Sequence, residues 1–119
     1  MKPTWTRASA GACLISWRIR ARRRLKDRPT SGTADCFRIE GAIWDGLLNE
    51  NYKALATDLD DQQMTKLREM RRAWIAYRDT TCEFYWTKIG GSMAVPMAAA
   101  CAARETARRA MLLKFFSGL

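Results

Sequence analysis

The sequence predicts an all-α fold: a small three-helix domain with a long antiparallel helical hairpin pinned by a disulfide. Apolar residues recur at spacings of three and four in three stretches after residue 35, as on one face of a helix. Gly90-Gly91-Ser92 separates the last two stretches, and glycine readily takes the left-handed conformation that stops a helix. One cysteine lies on each side of that break.

The two cysteines that flank the break are placed for a disulfide. Cys82 lies eight residues before Gly90, and Cys101 lies nine residues after Ser92. If the two helices fold back antiparallel, a rise of about 1.5 Å per residue brings both cysteines to nearly the same height above the turn. Cα atoms at one level on packed helices fall in the range that a disulfide spans. We therefore predict a Cys82–Cys101 disulfide.

Length and composition bound the class of protein. The 119 residues fit one domain, and 48% hydrophobic residues suffice for a core. Four cysteines fit two disulfides and an oxidising compartment, although buried free thiols are the alternative. No apolar run reaches the roughly 20 residues that a membrane helix needs.

The positive charge is concentrated at the start of the chain. Residues 1–29 hold nine Lys/Arg and one acid, whereas residues 30–119 hold twelve Lys/Arg and eleven acids. We interpret 1–29 as a basic leader or a non-native or disordered extension, and 30–119 as the helical domain. A targeting segment and an arm that binds nucleic acid through counterion release remain open. By composition, residues 29–33 form a linker.

Three helices are predicted in the domain. The first begins near Asp35, a good N-cap residue. The second runs from about Asp61 to Lys88 after an Asp60–Gln63 capping box. The third begins between Ser92 and Pro96 and ends near Phe116. One face of the first helix carries Phe37, Trp44, Leu48, Tyr52, Leu55 and Leu59. The apolar stripe of the second comprises Met64, Leu67, Met70, Trp74, Tyr77, Thr81 and Tyr85. The predicted buried positions of the third are Met97, Cys101, Met111, Leu112 and Phe115.

An ordered set of residues carries a family resemblance. The set comprises Cys36, Trp44-Asp45, Leu48-Asn49, Tyr52, the run from Arg72 through Trp74 to Arg78-Asp79, Cys82, Gly90-Gly91-Ser92, Cys101, Thr106, Arg109 and Leu113. From Cys36 onward the chain resembles the lysozyme inhibitor LprI N-terminal-like family, formerly a domain of unknown function. The resemblance implies a small, mostly helical, exported bacterial domain with disulfides, and hence a periplasmic or secreted protein.

The family name implies a function and a partner. On this resemblance we expect a binding protein that inhibits lysozyme-type muramidases by occluding the active-site cleft. Family members carry a further cysteine a dozen or so residues before the one that matches Cys36. Here the candidate is Cys13, which is farther away and precedes an arginine run, so the partner of Cys36 stays open.

Two groups of charged residues have both a structural and a functional interpretation. Arg78 lies one turn after Trp74, which predicts a cation–π pair. Asp79, Glu83, Glu105 and Arg109 lie around the predicted disulfide and are expected to form cross-helix ion pairs. These residues make either a structural polar layer or part of a binding surface.

The predicted turn offers a candidate binding loop. Lysozymes use paired carboxylates in a cleft. Lys88 on the glycine turn Gly90-Gly91 can face such a carboxylate, and Ser92 can offer its hydroxyl. The alternative is a helix stop followed by an N-cap, which needs no ligand.

Nothing in the sequence predicts catalysis. Histidine is absent, no glycine-rich phosphate loop is present, and the cysteine spacing does not suit zinc. We therefore expect no enzyme activity, cofactor, metal or small-molecule substrate. The alternative function is a structural or envelope interaction module of unknown target, and the third is a nucleic-acid binder that uses the basic arm, which we consider the weakest.

Overall fold

Three helices joined by two short turns make up the described part of the chain, which in this computed structural model is residues 30–119. Helix α1 spans Thr30–Ala56, α2 spans Asp61–Lys88 and α3 spans Ala94–Ser117. α3 packs against both other helices, most extensively against α1. The all-α prediction is confirmed. The proposed leader and Cys13 lie outside the described residues.

The core lies where the three helices meet. It is formed by Leu48, Leu55, Leu67, Ala110 and Leu113, and partly buried aromatic residues pack around it. α1 and α3 approach closely, since a Cβ added at Gly41 would lie 3.7 Å from the Cα of Ala103. Across the same interface, the Asn51 amide donates a hydrogen bond of 2.8 Å to the carbonyl of Ala110. Small side chains and one partly buried amide contact thus set the α1–α3 distance.

The first helix begins earlier than predicted. α1 begins at Thr30, so residues 30–33 are helical and the linker interpretation is wrong for them. Asp35 is not an N-cap but lies inside α1, where it pairs with Arg38 at 2.9 Å. Ala34 and Cys36 are buried, and this packing outweighs the weak helix propensity of the preceding glycine and serine.

The start of α2 follows the prediction. The Asp60 carboxylate accepts from the Gln63 backbone N–H at 2.8 Å, and the Gln63 side chain accepts from the Asp60 N–H at 3.0 Å. These two bonds form the predicted capping box.

The predicted apolar stripe of α2 is only partly correct, because Tyr77 and Thr81 are exposed and only Leu67 of that stripe is buried.

In α3 the predicted buried positions are wrong except for Cys101. Met97, Met111, Leu112 and Phe115 are all exposed. The buried residues of α3 are mostly small: Ala94, Pro96, Cys101, Ala103, Glu105, Thr106, Ala110 and Leu113. Close approach to two neighbouring helices requires small side chains on the inner faces, so the bulky residues point outward.

The predicted disulfide is present. Cys82 of α2 and Cys101 of α3 are bonded, with their Cα atoms 5.6 Å apart. Both are buried. The bond fixes the two helices side by side near the Gly90-Gly91 turn. Cys36 is disulfide-bonded as well. Its candidate partner, Cys13, lies outside the described residues.

Removing the Cys82–Cys101 bond should destabilise the domain. The two cysteines are 19 residues apart, and opening a loop of this size costs about 3 kcal/mol in the chain-entropy model. The double variant Cys82→Ala/Cys101→Ala leaves the bond at Cys36 intact, unlike treatment with reductant. Urea denaturation followed by circular dichroism measures the free energy of unfolding. A loss below about 1 kcal/mol would show that packing alone holds the hairpin.

The capping box should contribute measurably to stability. We expect Asp60→Ala to lower the free energy of unfolding by about 1 kcal/mol, because the hydrogen bond from the Gln63 N–H at the start of α2 is lost. Asp58→Ala is the matched control, since Asp58 is an exposed acid in the same turn and does not cap α2. If urea denaturation shows the same loss of unfolding free energy in Asp60→Ala and Asp58→Ala, the capping role of Asp60 is contradicted.

Candidate functional site

The turn between α2 and α3 is built on two glycines. Gly90 and Gly91 have φ angles of 65° and 72°, a region that favours glycine because it has no Cβ. The N–H groups of Ile89 and Gly90 donate to the carbonyls of Tyr85 and Trp86 at 3.0 and 3.1 Å. These bonds satisfy carbonyls in the last turn of α2, and the chain then turns sharply into α3.

Ser92 does not cap α3. The N-cap position is Met93, which makes no side-chain capping bond. The Ser92 hydroxyl is therefore not used as a cap. The Ser92 backbone carbonyl accepts a hydrogen bond from the Val95 N–H at 3.3 Å. Ser92 and Lys88 are both exposed, so the turn presents both side chains to solvent.

The exposed side chains around the turn are mostly apolar, with one cation and the hydroxyls of Thr87 and Ser92. We call this surface the hairpin tip, and it comprises Phe84, Trp86, Thr87, Lys88, Ile89, Ser92 and Met93. Phe84 is 61% exposed and Met93 is 56% exposed. Lys88 is the only charged residue between Glu83 and Arg104, and it makes no ion pair within residues 30–119. The tip therefore combines large apolar side chains with one ammonium group that no acid of the described helices neutralises.

A second feature lies farther from the turn, where aromatic rings and guanidinium groups meet. The Arg71 guanidinium carbon lies 4.8 Å from the centre of the Tyr52 ring. Arg78 and Arg109 lie over Trp74 at 4.9 and 5.8 Å. The Arg78–Trp74 pair is the one that the spacing predicts. Each contact draws a cation onto the negative face of a ring.

Arg71 and Arg109 border an open cleft, which we call the arginine cleft. Leu48, Leu67 and Leu113 form its apolar wall, and Asn49 lies at its edge beside Tyr52 and Trp74. Its empty volume, including the part open to solvent, is about 290 Å³. Partial burial lowers the pKa of Arg109 from its ordinary value, but an arginine remains charged at neutral pH.

The expected cross-helix ion pairs are not formed among residues 30–119. Asp79 instead pairs with the adjacent Arg78 at 3.0 Å, and Glu105 pairs with Arg108 one turn later at 3.2 Å. Glu83 has no ion pair in this part of the chain, and neither has Arg109. A partner on the same helix needs less ordering than one on a neighbouring helix, so local pairs are favoured.

The family-motif residues fall into two groups. Asn49, Tyr52, Trp74 and Arg109 line the arginine cleft, with Arg78 and Asp79 beside it. The others lie away from the cleft: Cys36 is buried, Trp44 packs against the core, and the buried Thr106 hydroxyl donates to the Ala102 carbonyl at 2.7 Å.

Several residues of both features were missed in the sequence-based predictions. Arg71 was not predicted to belong to a site, although it lies one turn before Trp74 on the same helix face. Phe84, Trp86 and Met93 were missed as surface residues. The low density of charge between Glu83 and Arg104, where Lys88 is the only charged residue, was the available signal.

The Arg78–Trp74 contact should contribute a measurable coupling energy. A double-mutant cycle with Arg78→Met and Trp74→Leu should give about 0.5–1 kcal/mol, because the cation lies over the ring at a partly exposed site. Urea denaturation of the four proteins supplies the free energies. The same cycle with the exposed Arg72 is the control and should give nearly zero. Equal coupling in both cycles would contradict a specific contact.

Two kinds of feature are absent from the described part of the chain. Within residues 30–119, no group of three or more His, Cys, Asp or Glu could hold a metal ion, and no helix is long and apolar enough to cross a membrane.

Comparison with known proteins identifies the family. No curated protein and no solved structure matches the chain significantly. The family described as lysozyme inhibitor LprI matches residues 23–113, about three quarters of the sequence. The chain therefore belongs to the LprI family.

Proposed function

We propose that this protein inhibits a lysozyme-type muramidase by inserting the hairpin tip into the active-site cleft. The observation that carries the proposal is the exposed, apolar tip with its one cation, which has no ion pair within residues 30–119. Membership of a family named for lysozyme inhibition supports it. The family name refers to the inhibition of an enzyme, which accords with a binding protein that is not itself catalytic.

The shape and chemistry of the tip suit a catalytic cleft. Glycosidases of this type carry two carboxyl groups that flank the scissile bond in a cleft. Lys88 can face one of these carboxylates, and the Ser92 hydroxyl can donate a hydrogen bond. Phe84, which lies one turn before Lys88 on the same side of α2, supplies the kind of large apolar surface that dominates the energy of protein interfaces.

The rigidity of the tip favours tight binding. Backbone hydrogen bonds from Ile89 and Gly90 close the end of α2, and the Cys82–Cys101 bond joins the two helices about two turns behind the tip. A loop that is already held in one conformation loses less entropy when it binds. The disulfide therefore contributes to affinity as well as to stability.

The proposal includes export from the bacterial cell. Disulfides persist in oxidising compartments such as the periplasm and the extracellular space, which is also where a lysozyme would be encountered. On this view, the family-matched residues 23–113 belong to the inhibitory domain.

Lysozyme inhibition should depend on Lys88 and Ser92. Titration of the full chain against a panel of lysozymes, following peptidoglycan hydrolysis, should show stoichiometric inhibition of at least one. Lys88→Ala/Ser92→Ala should weaken that inhibition by about tenfold or more, because a lysozyme carboxylate is left unpaired.

A matched lysine controls for a general loss of charge. Lys53 is exposed and lies in the last turn of α1, as Lys88 does in the last turn of α2. Lys53→Ala should leave inhibition unchanged. Full inhibition by a folded Lys88→Ala/Ser92→Ala variant would remove the tip from the mechanism. No inhibition of any lysozyme by the folded, oxidised protein would favour an envelope interaction module instead.

A further inference from the structure

Within residues 30–119, two cations of the arginine cleft have no acidic partner. Arg38, Arg78 and Arg108 each pair with a carboxylate on their own helix, at distances of 2.9–3.2 Å. Arg71 and Arg109 make no ion pair in this part of the chain, although both border the same cleft. The acid on α3 is already bound to Arg108. The described helices instead supply aromatic faces to these two guanidinium groups.

Two uncompensated positive charges at one cleft favour the entry of an anion. Like charges raise the local potential, and the apolar walls reduce the screening by water. The cation–π contacts offset only part of that repulsion, because the ring face carries no net charge. An anion between the guanidinium groups relieves their repulsion and gains charge-assisted hydrogen bonds.

The walls and size of the cleft restrict the chemistry of that anion. Leu48, Leu67 and Leu113 line it but are core residues that are only 3–8% exposed, whereas the rings of Tyr52 and Trp74 are half-buried. An apolar part of the ligand can therefore contact the two rings. The enclosed part of the cleft admits only a water-sized group, and the volume of about 290 Å³ includes open solvent. One carboxylate oxygen can therefore enter the enclosed part while the rest of the ligand lies in the open part. A planar carboxylate suits a guanidinium fork in such a space, whereas a phosphate is bulkier.

We propose that the arginine cleft binds a carboxylate attached to a small apolar body, with Arg71 and Arg109 as its ligands and Asn49 at its edge. The carboxylate can come from the C-terminal residue of a peptide or from a free carboxylic acid. The proposal does not rest on lysozyme inhibition, because the cleft and the hairpin tip share no residue.

Nuclear magnetic resonance of the full chain tests the proposal. The arginine Nε–H and tryptophan indole N–H signals are followed during titration with 3-phenylpropionate, its amide and inorganic phosphate. A tripeptide that ends in leucine is added with either a free or an amidated C-terminus. We expect the signals of Arg71, Arg109 and Trp74 to move with the carboxylates and not with the amides. Binding by the free-ended peptide alone would assign the source to a C-terminus.

Variants establish which guanidinium groups bind. Arg71→Gln should weaken carboxylate binding by about tenfold or more, and Arg71→Lys should restore only part of it because the planar fork is lost. Arg71 is exposed, so its variants should fold even if Arg109→Gln does not. Arg72→Gln, an exposed arginine next to Arg71 that lies outside the cleft, should change the affinity by less than about twofold.

Several outcomes would overturn the proposal. Equal shifts with the acid and its amide would remove the carboxylate from recognition. If inorganic phosphate binds more tightly than the carboxylates, the cleft is a phosphate site and not a carboxylate site. If Arg71→Gln and Arg72→Gln weaken carboxylate binding equally, the effect comes from overall positive charge and not from contacts in the cleft. If Arg71→Gln loses carboxylate binding but keeps full lysozyme inhibition, the cleft is supported as a site separate from the tip.

Discussion

The Cys82–Cys101 disulfide is the interaction on which the position of the hairpin tip depends. α2 has 28 residues but buries only Leu67 and Cys82. Leu67 anchors the first half of the helix in the core. In the second half, the large side chains Phe84 and Trp86 are exposed, so little apolar burial draws it toward α3. The disulfide therefore holds α2 against α3 where packing is weak, about two helical turns from the tip.

A second constraint is the small size of the side chains between α1 and α3. Gly41 meets Ala103, and the amide of Asn51 reaches the carbonyl of Ala110. Helices that approach this closely form many weak dispersion contacts, but they bury few large side chains. The consequence is a modest core in a small domain, where disulfides usually supply part of the stability.

Several local features of the fold were predicted correctly, although the start of the first helix at Asp35 was not. The Asp60–Gln63 capping box, the glycine turn and the cysteine spacing are local signals, and each corresponds to the observed structure. The buried face of α3 was predicted from large apolar residues, yet small side chains predominate there, because close helix approach decides burial. The arginine cleft could not be predicted for the same reason. Tyr52, Arg71 and Arg109 come from three different helices, and the spacing of residues along one helix does not specify how helices converge.

The cationic character of both sites arises from the placement of charges and not from an excess of them. Residues 30–119 hold twelve Lys/Arg and eleven acids, so the described domain is nearly neutral. Asp58, Asp60 and Asp61 cluster at the start of α2, whereas Lys88 lies at its other end, about 40 Å away. Near the arginine cleft, Asp79 and Glu105 likewise pair with Arg78 and Arg108 and not with the two cleft arginines. Two separate cationic sites on the nearly neutral residues 30–119 favour partners that present individual carboxylates in a defined geometry.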